Sequence, residues 1–294
     1  MRVEPRRTTV GAARSAAERE AAEESSLFGH PEATPDTTAA YGPDPDQVVD
    51  FYAPRGPGAA PGTRLVVVVH GGAWRAAYDR RHISPFAAFL AGRGFAVASV
   101  EYRRGDGGQG AGRWPDTFDD IAAAFDALPE LAAEAVPEAD PGRTVLTGHS
   151  AGGHLALWAA ARHVLPVGSP WRLPEAPPVR GVVALAPIAD FATAAELNVC
   201  DGAFAQLLGG QDKERLAHAD LATLLPTGIA TTLVQGSDDT EVPPAVAEAY
   251  ADAATAAGET PGFTLVDGVG HFPLIDPTSA ACALAAEEIA QLAW

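Results

Sequence analysis

A serine stands among glycines in Gly148-His149-Ser150-Ala151-Gly152-Gly153, where Gly148 and Gly152 lie two residues either side of it. An apolar run, Thr144 to Thr147, leads into this segment, and a helical pattern, Ala151 to Arg162, follows it. A serine at the tip of a strand–turn–helix corner is a nucleophile elbow. The turn forces its central residue into a strained backbone, and only small neighbours fit against the strand and helix. The hydroxyl then projects at a helix N-terminus, where the dipole and free N–H groups favour developing negative charge. G-x-S-x-G alone recurs by chance, so its setting carries the weight.

Attack on a carbonyl needs donors for the oxyanion. His70-Gly71-Gly72-Ala73-Trp74 directly follows the run Leu65 to Val69. Its glycine pair lets the backbone turn N–H groups toward the nucleophile, which assigns the oxyanion hole to the N–H groups of Gly72, Ala73 and Ala151. Each such donor is worth roughly 3–4 kcal/mol in acyl transfer. A serine also needs a base, and the base an orienting acid, in the chain order serine, acid, histidine. Gly236-Ser237-Asp238-Asp239 follows the run Thr231 to Gln235, so an acid there stands at a strand's carboxyl end. His271, in Gly268-Val269-Gly270-His271-Phe272, is the histidine downstream of Ser150 that follows the last expected strand. His154, His163 and His218 read as structural or solvated, His30 and His82 have no motif around them, and His149 is expected to pack beside the elbow. Spacing alone leaves Asp238 and Asp239 both open.

These groups need a scaffold that collects strand ends. Val48 to Tyr52, Leu65 to Val69, Phe95 to Val100, Thr144 to Thr147, Val179 to Leu185, Thr231 to Gln235 and Phe263 to Val266 read as strands. Phe86 to Gly92, Asp116 to Leu128, Ala151 to Arg162, Pro243 to Ala257 and Ser279 to Trp294 read as helices between or after them. The alternation predicts an α/β fold with a mostly parallel central sheet covered by helices on both faces. The valine-rich run Leu65 to Val69 suits a strand buried on both faces. Arg104 to Arg113 reads as a Gly-rich loop. Phe191 to Leu225 exceeds one connecting helix and is expected to shape the ligand crevice at the carboxyl ends of the strands. One catalytic domain, 47–294, is expected behind an N-terminal arm, 1–46, made of a charged helix (Ala12 to Glu24) and a Pro/Thr loop.

Composition narrows the chemistry. The 294 residues carry 20 Lys+Arg against 38 Asp+Glu, a net charge of −18. That balance opposes binding to a phosphate backbone or an anionic membrane, so no nucleic-acid or membrane partner is expected. Two cysteines, Cys200 and Cys282, make neither a disulfide framework nor a zinc motif, which points to a reducing, cytoplasmic setting. The arm has no apolar stretch of the kind a signal peptide needs. No metal or organic cofactor is required by this chemistry. The arm is open to three readings: an element pairing two copies into a homodimer, a lid, or a loosely docked extension.

Taken together, HGGAW, GHSAGG, GSDDTEVP and VGHF resemble, in order and separation, the α/β-hydrolase superfamily. The nearest branch is the serine esterase/lipase group with an HGG oxyanion motif, which includes hormone-sensitive-lipase-like esterases and kynurenine formamidases. The resemblance covers Gln47 to Trp294. It implies a Ser-His-Asp triad of Ser150, His271 and an acid three residues after the glycine of G-x-x-D-x-x-V-P, which is Asp239, with Asp238 the second choice. Many esterases of that kind carry a third glycine where this chain has Ala73. The HGG-x-Trp form fits formamidases, although some esterases share it. The resemblance implies a carboxylic ester hydrolase acting on a small or medium ester, with an arylformamidase acting on N-formylkynurenine as the alternative and a non-catalytic hydrolase-fold binding protein as a third. Trp74, Trp114 and Phe204 are the candidate substrate-binding residues, although Trp74 could equally pack the loop. Glu101-Tyr102-Arg103 reads as structural support.

Overall fold

The computed structural model describes residues 15–293 apart from 57–58, 60–61, 106–110 and 211. The centre of the Gly-rich stretch, the first residues expected in the N-terminal helix and the last residue of the final one lie outside the described residues. Among those described, eight strands form one sheet: β1 (Thr37–Ala40), β2 (Val48–Tyr52), β3 (Thr63–Val69), β4 (Ala96–Val100), β5 (Ala139–His149), β6 (Gly181–Leu185), β7 (Thr231–Gly236) and β8 (Gly262–Val266). Their order is β1-β2-β4-β3-β5-β6-β7-β8. Pairing is antiparallel between β1 and β2 and between β2 and β4, and parallel from β4 through β8.

The valines of β3 explain why the sheet is buried on both faces. Leu65, Val67 and Val69 pack on one side, with Ala96, Ala98 and Val100 of β4. Val66 and Val68 pack on the other, with Val97. Helices α3 (Asp116–Ala135), α4 (Ala151–Ala160) and α8 (Pro244–Ala256) cover the first side. Helices α2 (Ser84–Gly92) and α9 (Ala280–Leu292) cover the second, where Leu27 of α1 (Ala16–Phe28) joins them. This is the mostly parallel, doubly covered sheet that the alternation predicts.

The local departures have local causes. Thr37–Ala40, expected in a loop, is an edge strand, because its pairing with β2 uses main-chain groups and asks little of four small, mostly exposed side chains. The long helix continues through Pro129 to Ala135, where Leu128 and Ala132 bury the same face and packing outweighs the missing N–H. β5 begins earlier than Thr144, and its register against β3 shifts between Arg64 and Leu65, across Pro141-Gly142. The segment after β6 folds into α5 (Phe191–Glu196), α6 (Ala203–Leu207) and α7 (Lys213–Ala219), with short 3-10 turns. Among the described residues, no helix is long and apolar enough to cross a membrane.

Candidate active site

β5 delivers Ser150 to the carboxyl edge of the sheet. Ser150 has φ 57 and ψ −121, a conformation costing about 1–3 kcal/mol that its surroundings must hold. Its N–H donates to Leu185 O of β6 at 2.9 Å, and its own carbonyl accepts from His154 at 3.2 Å and Ile188 at 3.3 Å. The flanking glycines are a packing requirement. A Cβ on Gly148 would lie 2.2 Å from Gly152 O, and one on Gly152 would lie 2.1 Å from Val69 O. Strand and helix approach too closely there for any side chain.

The loop after β3 carries three successive residues in the left-handed region: Gly72 (φ 99), Ala73 (φ 51) and Trp74 (φ 56). Among the described residues, the N–H groups of Gly72, Ala73 and Ala151 have no hydrogen-bond acceptor within the protein. Beneath the loop, His70 Nε2 donates to Glu101 Oε1 at 2.8 Å, and the Tyr102 hydroxyl donates to His70 O at 2.9 Å. Arg104 Nη1 donates to the same Glu101 oxygen at 2.8 Å, and the N–H of Arg80 donates to the other at 2.9 Å. Burial opposes the charge on Glu101, but His70 and Arg104 outweigh it and hold the carboxyl down at about 2. The Glu101-Tyr102 pair thus supports the loop from below.

β7 and the turns after β7 and β8 supply the remaining groups. His271 Nδ1 lies 2.7 Å from Asp239 Oδ2. Gln235 Nε2 donates to the same oxygen at 3.0 Å, and the N–H groups of Glu241 and Val242 donate to Oδ1 at 3.0 and 2.8 Å. Asp238 points elsewhere, accepting from Arg19 at 2.8 Å. Burial disfavours a charged His271, but Asp239 outweighs burial and holds the imidazole above its ordinary value. His149 donates from Nε2 to the His271 carbonyl at 3.0 Å, and the two rings lie 4.3 Å apart.

Ser150, His271, Gly72 and Ala73 line one cavity of about 90 Å³. Several of its walls have no sequence signal. Leu27 and Phe28 reach it from α1, Cys200 from the segment after β6, and Tyr78, His82 and Arg75 from the chain after the HGG motif. Phe28 is 42% exposed at the rim, with Tyr78, His82 and Phe272 about 6 Å away. The arm is docked. Arg19 reaches Asp238, Thr240 donates to Glu20, and Gly270 donates to Glu23 at 3.2 Å.

Trp74, Trp114 and Phe204 are not among the lining residues. Trp74 is fully buried and meets His154 and Phe191 edge-on, Phe204 stacks on Phe191, and Trp114 packs on Phe118 and Trp171. All three belong to the core on the side of the sheet covered by α3, α4 and α8, a placement that large apolar residues in one chain do not announce. Among the described residues, no group of three or more His, Cys, Asp or Glu side chains is arranged to hold a metal ion.

Residues 49–253 match the BD-FAE family model. No curated protein matches the sequence. In fold the chain is similar to a truncated carbohydrate esterase from gut microbiota, with TM-score 0.70, 22% identity and coverage of 90% of this chain and 98% of that one. It is also similar to esterase B of Lactobacillus rhamnosis, with TM-score 0.71, 21% identity and coverage of 94% and 92%. Esterase 2 of Thermogutta terrifontis, phosphoramylated by tabun, aligns with TM-score 0.65, 20% identity and coverage of 89% and 94%. The fold is the α/β-hydrolase fold.

Proposed function

Because the chain belongs to the BD-FAE family of α/β-hydrolase esterases, we propose that it is a serine hydrolase that cleaves short-acyl carboxylic esters through an acyl-enzyme. Ser150 is the nucleophile, His271 the general base and acid, and Asp239 the group that orients it. The observation that carries this reading is the 2.7 Å contact between His271 Nδ1 and Asp239, with Ser150 and His271 opening on the same cavity.

The chemistry follows from the geometry. A neutral His271 bonded through Nδ1–H to Asp239 presents its other nitrogen as a base. It takes the Ser150 proton as the hydroxyl oxygen attacks the ester carbonyl. The N–H groups of Gly72, Ala73 and Ala151 stabilise the oxyanion without reorganising, because they have no other acceptor. The alcohol leaves with the proton from His271, and water then releases the acid by the same steps. Support for a short acyl group comes from the cavity, whose roughly 90 Å³ is small for a substrate site. The N-formylkynurenine alternative rested partly on Trp74, which packs against His154 and Phe191.

An organophosphorus probe tests the reading directly, since esterase 2 of Thermogutta terrifontis forms such an adduct. The expected result is a single mass shift on Ser150, and loss of turnover by a factor on the order of 10⁴–10⁶ in Ser150→Ala with the fold retained. Modification elsewhere, or substantial activity in Ser150→Ala, would refute it. N-formylkynurenine beside p-nitrophenyl acetate decides between formamide and ester.

A further inference from the structure

The catalytic cavity contains a cation that the ester-hydrolysis scheme does not use. Arg75 stands two residues beyond Ala73, and its N–H donates to Gly72 O at 2.9 Å. A single bridge pairs its backbone with Ala111. Its side chain is tethered on one edge, where Nη2 donates to the carbonyl of Cys200 at 2.8 Å. The Nε–H is buried and has no hydrogen-bond partner. Among the described residues, no carboxylate lies within 4.0 Å of this guanidinium, although most other arginines here that approach the core pair with one, as Arg80 does with Asp50 and Arg103 with Asp120.

A guanidinium has five donors in a rigid fork and no acceptor, so a fixed one with an unused edge is completed by an oxygen-rich anion. Burial keeps two of the histidines on the walls from adding charge. His82 is brought down to about 4 and His149 well below its ordinary value, both mainly by burial. Glu241 shares a hydrogen bond with Glu20, which with burial pushes its carboxyl up to about 7. With His271 neutral, as a base must be, the guanidinium of Arg75 is the positive charge on the cavity lining, in a protein of net charge −18. The overall acidity repels polyanions at long range, but salt screens that field within about 10 Å, leaving the local charge to select what enters.

We propose that Arg75 is a specificity-determining residue, and that the preferred substrate is a short ester bearing a carboxylate within a few bonds of the scissile carbonyl. This rests on the ester-hydrolase reading. The carboxylate takes the guanidinium N–H groups that Cys200 O leaves free. In so small a cavity that anchor also sets where the carbonyl lies relative to Ser150.

The test is a pH-stat comparison of charged and neutral esters. Methyl hemisuccinate against methyl butyrate places the carboxylate on the acyl side, and O-acetylglycolate against ethyl acetate places it on the alcohol side. In the wild type at least one charged ester should exceed its neutral partner in kcat/KM. In Arg75→Gln that charged-to-neutral ratio should fall tenfold or more, as expected for the loss of one hydrogen-bonded charge contact, with Arg75→Lys intermediate. Succinate or glycolate should also inhibit the wild type competitively and the Gln variant far less. Organophosphorus labelling of Ser150 in the same preparations separates the two readings. Labelled enzyme with an unchanged ratio overturns the role of Arg75 alone, and unlabelled enzyme without ester hydrolysis overturns both.

Discussion

His149 Nε2 donates to the main-chain carbonyl of His271 at 3.0 Å, so the residue preceding Ser150 fixes the backbone of the proposed base. A carbonyl can only accept, so the proton sits on Nε2 of His149. Burial keeps the ring neutral. The bond joins the end of β5 to the turn after β8 across the face of the site. The residue before Ser150 thereby ties the end of β5 to the main chain of His271.

His149→Phe should therefore lower kcat by roughly tenfold. The ring volume is kept, but the buried His271 carbonyl loses its donor, at a cost of about 1–3 kcal/mol. Organophosphorus labelling of Ser150 should slow in parallel. Wild-type kinetics in this variant would show that the turn after β8 is held without His149.

Asp239→Asn should reduce kcat by about 10⁴-fold, because an amide favours the wrong tautomer of its histidine partner. Asp238→Asn should stay within a few fold, since its carboxylate meets Arg19 at the surface. The reverse order in a steady-state assay would exchange the two aspartates.

Activity should rise with pH through a midpoint above the reference imidazole value of about 6.5. His271 accepts a proton only when neutral, and Asp239 raises its pKa against the effect of burial. The protonated, inactive form thus persists to higher pH than for a free imidazole. A hydrogen bond with Glu20 and burial push the Glu241 carboxyl up to about 7, so the profile should be repeated in Glu241→Gln, where the acidic limb should remain. A flat profile between about pH 5 and 8 would remove His271 as the base.

Phe28→Ala should broaden acyl-length preference. The ring forms the rim of a cavity that otherwise has room only for a short acyl group. Removing it should raise kcat/KM for octanoate relative to acetate several-fold. Stability should change by about 1 kcal/mol or less, since the side chain is already 42% exposed. An unchanged chain-length profile would mean the acyl group leaves in another direction.

The backbone geometry of the elbow and of the HGG loop was legible because its demands are local. The elbow needs small residues at Gly148 and Gly152, where any Cβ would strike main chain, and the HGG loop needs residues that accept positive φ. Those demands write themselves into a few consecutive letters. The buried strands were legible for the same reason, since Val66 to Val69 serve two hydrophobic faces in alternation. The cavity wall was not. Phe28, Cys200 and the stretch from Arg75 to His82 come from three separate segments that only the tertiary fold brings together. Trp74 lies one residue from the proposed oxyanion donor Ala73, yet it packs into the core, because successive residues of a tight loop point in different directions. Edge strand β1 lacked a signal because main-chain pairing holds it.

The docked N-terminal helix also sets an order of assembly. Its contacts with the turns around Asp239 and His271 span 219 residues between Arg19 and Asp238, 247 between Glu23 and Gly270, and 250 between Ser26 and Asp276. During synthesis Ser150 and the HGG loop emerge well before any of those partners. The cavity can close only after the turn after β8 has formed and met a helix that precedes it in the chain by more than 200 residues. Contacts of such separation carry a large loop-closure cost and slow folding. The cavity wall that Leu27 and Phe28 supply is thus the last part of the site to be completed.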